Sequence, residues 1–180
     1  FVWSVACLLI SALPSVAFED TASGCRINPP QPFSVERSAE KRPYDISVGL
    51  NSAIGKPRLA GRDRYICEAG FKANAENASL DRATINALGD GEEWIAHLKS
   101  VYEKTGMIVL ATGRYTLQGF RGLELEGKAP PHAPDDVRIY IAFSETPKGH
   151  TTLRCVTLAE DYITALPQFR AIRDSITLPQ

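Results

Sequence analysis

The chain has no surplus of either charge. Its 180 residues carry 20 Lys and Arg against 21 Asp and Glu, a formal net charge of −1 at pH 7. Binding nucleic acid without regard to sequence takes excess positive charge to displace counterions, so this balance argues against nucleic acid as a partner and leaves only a local basic patch open. Low-complexity stretches and internal repeats are missing too, and an apolar fraction of 44% with 23% charged residues is ordinary for a globular domain. Recognisable catalytic signatures are absent: there is no HExxH, no paired CxxC and no GxSxG. The nearest approach to a phosphate-binding loop runs from Gly49 to Lys56. It places five residues between its glycines where four are needed, and Pro57 stands where a Ser or Thr should hold magnesium. Neither a cofactor nor a metal is expected.

Long apolar runs are lacking except at the start, where residues 1–17, FVWSVACLLISALPSVA, carry no charge. Small residues at Ser15 and Ala17, followed by Glu19 and Asp20, give the apolar core and cleavage region of a secretory signal peptide cut after Ala17. The run contains Pro14 and is short for a membrane span of about 20 residues, so retention as an anchor is the weaker alternative. The expectation is export to the periplasm or outside the cell, with membrane contact only through this segment before cleavage. Three cysteines then remain, Cys25, Cys67 and Cys155, and in an oxidising compartment two of them should pair. All three pairings are open at this point, and one thiol is left over in each.

Residues 18–43 read as an extended polar lead-in containing NPPQPF, with a short strand at 33–35. Residues 44–180 read as a single α+β domain. Tyr44, Ile46 and Val48 alternate, which suggests an edge strand starting after Pro43. Tyr65, Cys67, Ala69 and Phe71 share one face of the next strand. Two helices follow: one capped by Ser79, with Leu80, Ala83, Ala87 and Leu88 as its apolar stripe and Gly89 as its end, and one opened by an Asp90–Glu93 capping box with Trp94, Ile95, Leu98, Val101 and Tyr102 inward. Then come MIVLATGRYTLQ, a GFRG turn, LELEGK, an exposed loop APPHAPDD, DVRIYIAF and HTTLRCVTLA, four strands whose two tight connections, GFRG and SETPKG, give two antiparallel hairpins. The chain closes on a helix whose apolar face is Tyr162, Leu166, Phe169, Ile172 and Ile176. Pro167 predicts a kink there, or a regular helix starting only near Leu166.

Neighbouring strands on short turns, with helices laid on the sheet, make an α+β fold. The order of strand, helix, G-x-x-G hairpin (Gly119 to Gly122), two strands and the closing segment ALPQFRAIRDSITLP resembles the PsbP-type fold shared with DcrB-like bacterial envelope proteins, over residues 44–178. That resemblance implies an α/β/α sandwich built on an antiparallel sheet, and a non-enzymatic accessory or binding role.

The most suggestive surface feature is a basic loop in which Lys56, Arg58, Arg62 and Arg64 fall close together. It would suit an unknown protein partner or an anionic small ligand; the bland reading is solvated charge neutralised by Asp63 and Glu68. His132 with Asp135 and Asp136 is the only stretch resembling a cation site, and it reads as an exposed loop. Glu124 and Glu126 alternate with Leu123 and Leu125, which predicts that both acids face water. Asn77-Ala78-Ser79 is a formal glycosylation sequon. The function expected from these features is an exported, non-enzymatic binding or assembly protein. The competing class is a small envelope hydrolase or thiol-dependent enzyme, which needs His97, His132 or His150 to converge with an acid and a nucleophile.

Overall fold

The computed structural model describes residues 17–38, 43–133 and 136–180; the expected signal segment lies outside them up to residue 16. The described chain runs β1 (Phe18–Asp20), β2 (Cys25–Ile27), β3 (Phe33–Arg37), β4 (Ile46–Ser52), β5 (Cys67–Ala73), a 3-10 turn (Ala75–Ser79), α1 (Arg82–Asp90) and α2 (Glu92–Lys104). It continues with β6 (Ile108–Leu117), β7 (Phe120–Lys128), β8 (Val137–Thr146), β9 (Gly149–Leu158), α3 (Ala159–Asp174) and β10 (Ile176–Thr177). Seven strands form an antiparallel sheet in the order β3-β4-β5-β9-β8-β7-β6, and β1-β2-β10 form a small second sheet. This is the expected α+β class.

Turn chemistry explains the meander. At the β6–β7 hairpin Leu117 pairs with Phe120, so the loop is Gln118-Gly119 alone. Both residues have positive φ, 53° and 84°, the geometry whose twist matches a two-residue hairpin. The turn therefore lies two residues earlier than the GFRG reading placed it. Thr146 pairs with Gly149 around Pro147-Lys148 in the same economical way.

The sheet is covered on both faces, and alternate residues of each central strand feed two separate cores. On one face Tyr140, Ala142, Leu153 and Cys155 pack with Phe169 and Ile172 of α3. On the other, Leu123, Leu125, Ile139, Ile141 and Val156 pack with Leu98 of α2. Strand β8 is therefore buried on both sides: Tyr140 and Ala142, which alternate with Ile139 and Ile141, are 0% and 2% exposed. The expected edge strand β4 is interior, because β3 pairs outside it.

Several caps and buried positions fall on other residues than the local sequence signals indicate. Asp81, not Ser79, caps α1 by accepting the Thr84 amide at 2.8 Å. Gly91 precedes α2 with no side-chain cap, so the Asp90–Glu93 box does not form. In α1 the buried positions are Ile85 and Gly89, whereas Leu88 is 54% exposed. Helix α3 is continuous from Ala159 and tolerates Pro167. The carbonyl that loses its partner belongs to Ile163, a residue 84% exposed, so water can satisfy it. Ile176 has left the helix and pairs with Ile27 in the small sheet. The sequon asparagine is internal: the Asn77 amide donates to Glu145 at 2.5 Å and to the Thr146 carbonyl at 3.0 Å, so it serves the fold and is not displayed for glycosylation.

A guanidinium-lined candidate site

The basic loop spans the connection from β4 to β5, and the structure divides it in two. Its first half is fastened to the start of α3. Arg58 donates to Asp161 from its backbone amide at 3.0 Å and from Nε at 2.8 Å, and its guanidinium also pairs with Glu160. Lys56 lies 3.6 Å from Asp161, and Thr157 donates to the Arg58 carbonyl at 2.7 Å. These two cations therefore hold the loop in place and are already neutralised.

The Arg58 guanidinium, by its side-chain hydrogen bond above all, keeps the Asp161 carboxyl well below the usual aspartate range. A depressed folded pKa contributes stability above the unfolded value and loses it as pH falls through the folded one. Protonating this carboxyl should thus cost stability below about pH 4. Asp161→Asn is expected to reduce the drop in melting temperature between pH 7 and pH 3; an unchanged drop would show that the pair contributes nothing.

The second half, Arg62 to Tyr65, walls a cleft of about 240 Å³ with Glu68 of β5 and Arg154 of β9. Glu68 and Arg154 are direct cross-strand partners. Their register is locked from behind by the Cys67–Cys155 disulfide, which joins the adjacent pair of the same ladder. The pairing left open by the sequence is thereby decided: Cys67 bonds Cys155, and Cys25 is a buried free thiol. On the cleft face the Tyr65 ring lies over Gly49, where any Cβ would come within 2.3 Å of the ring. Arg64 sits over that ring at 5.2 Å and reaches Glu36 at 3.3 Å. Arg154 meets Asp63 through two contacts, 2.8 and 3.3 Å. Glu68 accepts the Ser47 hydroxyl at 2.6 Å. Among the described residues Arg62 forms no salt bridge and is exposed. Of the four loop cations singled out in the sequence, two face the cleft and two do not.

A second constellation lies between α3 and β7. Glu124, expected to face water, is 8% exposed under α3. Arg170 donates to it at 2.6 Å, Arg173 at 2.7 Å and the Tyr140 hydroxyl at 2.9 Å. Glu126, at its edge, accepts from Arg170 at 3.2 Å and from the Tyr162 hydroxyl at 3.0 Å. Arg173 also lies 4.3 Å from the Tyr115 ring. Burial pushes the Tyr140 phenol upward, so it remains a donor at neutral pH. Both oxygens of Glu124 are taken by these partners, which makes the group a clamp between α3 and β7.

The enzyme-like candidates do not assemble. His132 lies in the loop before β8, and His150 begins β9 beside the turn at the other end of that strand, stacked on Phe143 at 5.2 Å. A strand of ten residues separates those two ends by about 33 Å. His97 is exposed on α2. Of the acids beside His132, Asp135 lies outside the described residues. Cys25 is 3% exposed, and burial pushes its thiol up to about 11, the opposite of what a thiolate nucleophile requires.

No family model matches the chain, and no curated protein matches it either. Solved structures do. A cyanobacterial PsbP (CyanoP) from Synechocystis sp. PCC 6803 aligns with a TM-score of 0.58 at 12% identity, covering 97% of this chain and 98% of that one. LpqN, involved in cell envelope biogenesis of Mycobacterium tuberculosis, aligns at 0.49 and 13% identity over 94% of this chain and 88% of its own. PA94 of Pseudomonas aeruginosa, described as a putative regulator, aligns at 0.47 and 10% identity over 92% and 96%. The chain has the PsbP-type fold.

Proposed function

We propose that this is an exported, non-enzymatic accessory protein that binds an anionic ligand, or an anionic group on a partner, in the cleft between the Arg62–Tyr65 loop and Arg154. The observation that carries this reading is the convergence of Arg62, Arg64 and Arg154 on one small cleft whose floor is held by a cross-strand disulfide. Guanidinium groups recognise phosphate and carboxylate oxygens through paired hydrogen bonds, and a preorganised set loses little entropy when it does so. A structural disulfide joining two fully buried cysteines supports an oxidising compartment. The apolar start of the chain supports export by the secretory route.

Two measurements test the two parts. Calorimetric titration with inorganic phosphate should show saturable binding, weakened about tenfold or more by Arg62→Ala. Equal affinity in the variant would place the ligand elsewhere. For the compartment, intact mass of protein from the cell envelope should match a chain beginning at Phe18 with one thiol that labels only after denaturation. An unprocessed chain with no disulfide would overturn export.

A further inference from the structure

We infer that Asp63 is an internal stand-in for the ligand, and that what displaces it from Arg154 is a phosphate group, free or as a terminal monoester. The inference rests on the anion-binding reading above and goes on to name the ligand and the competitor. Arg154 presents two nitrogens to the two carboxylate oxygens of Asp63, at 2.8 and 3.3 Å. This is the two-point arrangement in which a guanidinium takes an external oxyanion. The two partners differ in how firmly they are held. Arg154 stands in an interior strand next to the disulfide, opposite Glu68 in the ladder. Asp63 stands in the loop after Gly61, whose φ of 71° marks a turn. A local loop adjustment can withdraw the carboxylate while the guanidinium stays in place.

Charge then selects the ligand. A monocarboxylate arriving at Arg154 only exchanges one carboxylate for another, and any displacing anion must also meet Asp63 and Glu68 in the same cleft. A phosphate group carries close to two charges near neutral pH and offers three acceptor oxygens. It can therefore hold Arg154 and also engage Arg62, which has no salt bridge among the described residues and lines the same cleft. Arg64, tied to Glu36 at 3.3 Å with both side chains more than half exposed, is the next guanidinium within the cleft wall.

The test is titration of the full chain with inorganic phosphate, glycerol phosphate and acetate, comparing wild type with Asp63→Asn. Freeing Arg154 of a partly exposed salt bridge should tighten phosphate roughly twofold to fivefold. Acetate should bind at least several-fold more weakly than phosphate to both proteins, and the glycerol phosphate arm separates a free ion from a terminal ester. Asp63→Ser gives the same readout if the asparagine variant folds poorly. If wild type binds phosphate and neither variant binds it more tightly, Asp63 is no stand-in, while the anion-binding reading survives. If acetate matches phosphate, the phosphate assignment is wrong. Absence of binding by wild type and variants to all three probes removes both the inference and the reading beneath it.

Discussion

Glu124→Ala is expected to lower the free energy of unfolding by about 3–5 kcal/mol, the usual consequence of removing one member of a buried ionic group. The carboxylate receives Arg170, Arg173 and the Tyr140 hydroxyl, and Tyr140 is fully buried. Alanine removes the acceptor and leaves those donors facing one another beneath α3. Arg173 suffers most, since its side chain is only 12% exposed and has little access to water. Arg170 is 39% exposed and can turn outward. Replacing Glu124, Arg170 and Arg173 together by apolar residues of similar volume should cost far less than Glu124→Ala, because desolvation and attraction are then removed together. Urea denaturation at pH 7 measures both. A loss under about 1 kcal/mol in the single variant would show that water reaches the group and that α3 is held by its apolar face alone.

That clamp also shows where sequence reading stops. The alternation of Leu123 and Leu125 with Glu124 and Glu126 gave the correct division of β7 into two faces. What it could not give is that both faces are covered. A glutamate in a period-two strand reads as solvent-facing unless its partners are known, and those partners lie 46 and 49 residues away on α3. The α3 sequence did contain the signal: Arg170 and Arg173 flank the buried Phe169 and Ile172, so one edge of the packed face is cationic. Matching that edge to an acidic strand needs the crossing of helix over sheet, which no periodicity supplies. Helix ends failed for a smaller reason. Ser79 and Asp81 are both competent caps for α1, and only the observed hydrogen bond from Thr84 selects Asp81.

The cleft was half legible for a related reason. Arg62 and Arg64 are neighbours in sequence and drew attention as a basic run. Arg154 is isolated in a strand, and it joins them only through the register of β5 against β9. That register was one step from the cysteine count. In an antiparallel ladder, placing Cys67 opposite Cys155 puts Glu68 opposite Arg154. With three pairings open, that step could not be taken from sequence. The two hairpins and the closing helix were readable because each depends on contacts within a few residues or on the periodicity of one element; the placing of β9 beside β5 was not, since it joins residues far apart in the chain.

Removing the disulfide through the double change Cys67→Ala and Cys155→Ala should give the other large effect. The bond closes a loop of 88 residues. Chain-entropy reasoning assigns roughly 4–5 kcal/mol to a loop of that size, with about 2–4 kcal/mol typical of what is measured. Both sulfurs are fully buried on the α3 face, in the cluster with Phe169 and Leu153, so two small vacancies add to the loss. The expected result is a denaturation midpoint well below that of wild type, with wild type under reductant following the same curve once unfolded and reduced. The consequence for binding is separable from the consequence for folding. Glu68 and Arg154 keep their ladder hydrogen bonds without the crosslink, and the sheet continues on both sides of them. At a temperature where the double variant is still folded, its phosphate affinity should therefore fall by no more than about threefold, a cost under 1 kcal/mol. A stability loss below about 1 kcal/mol would mean that the sheet alone constrains this pair of strands. A collapse of affinity in a folded variant would mean that the disulfide, and not the strand register, sets the position of Arg154.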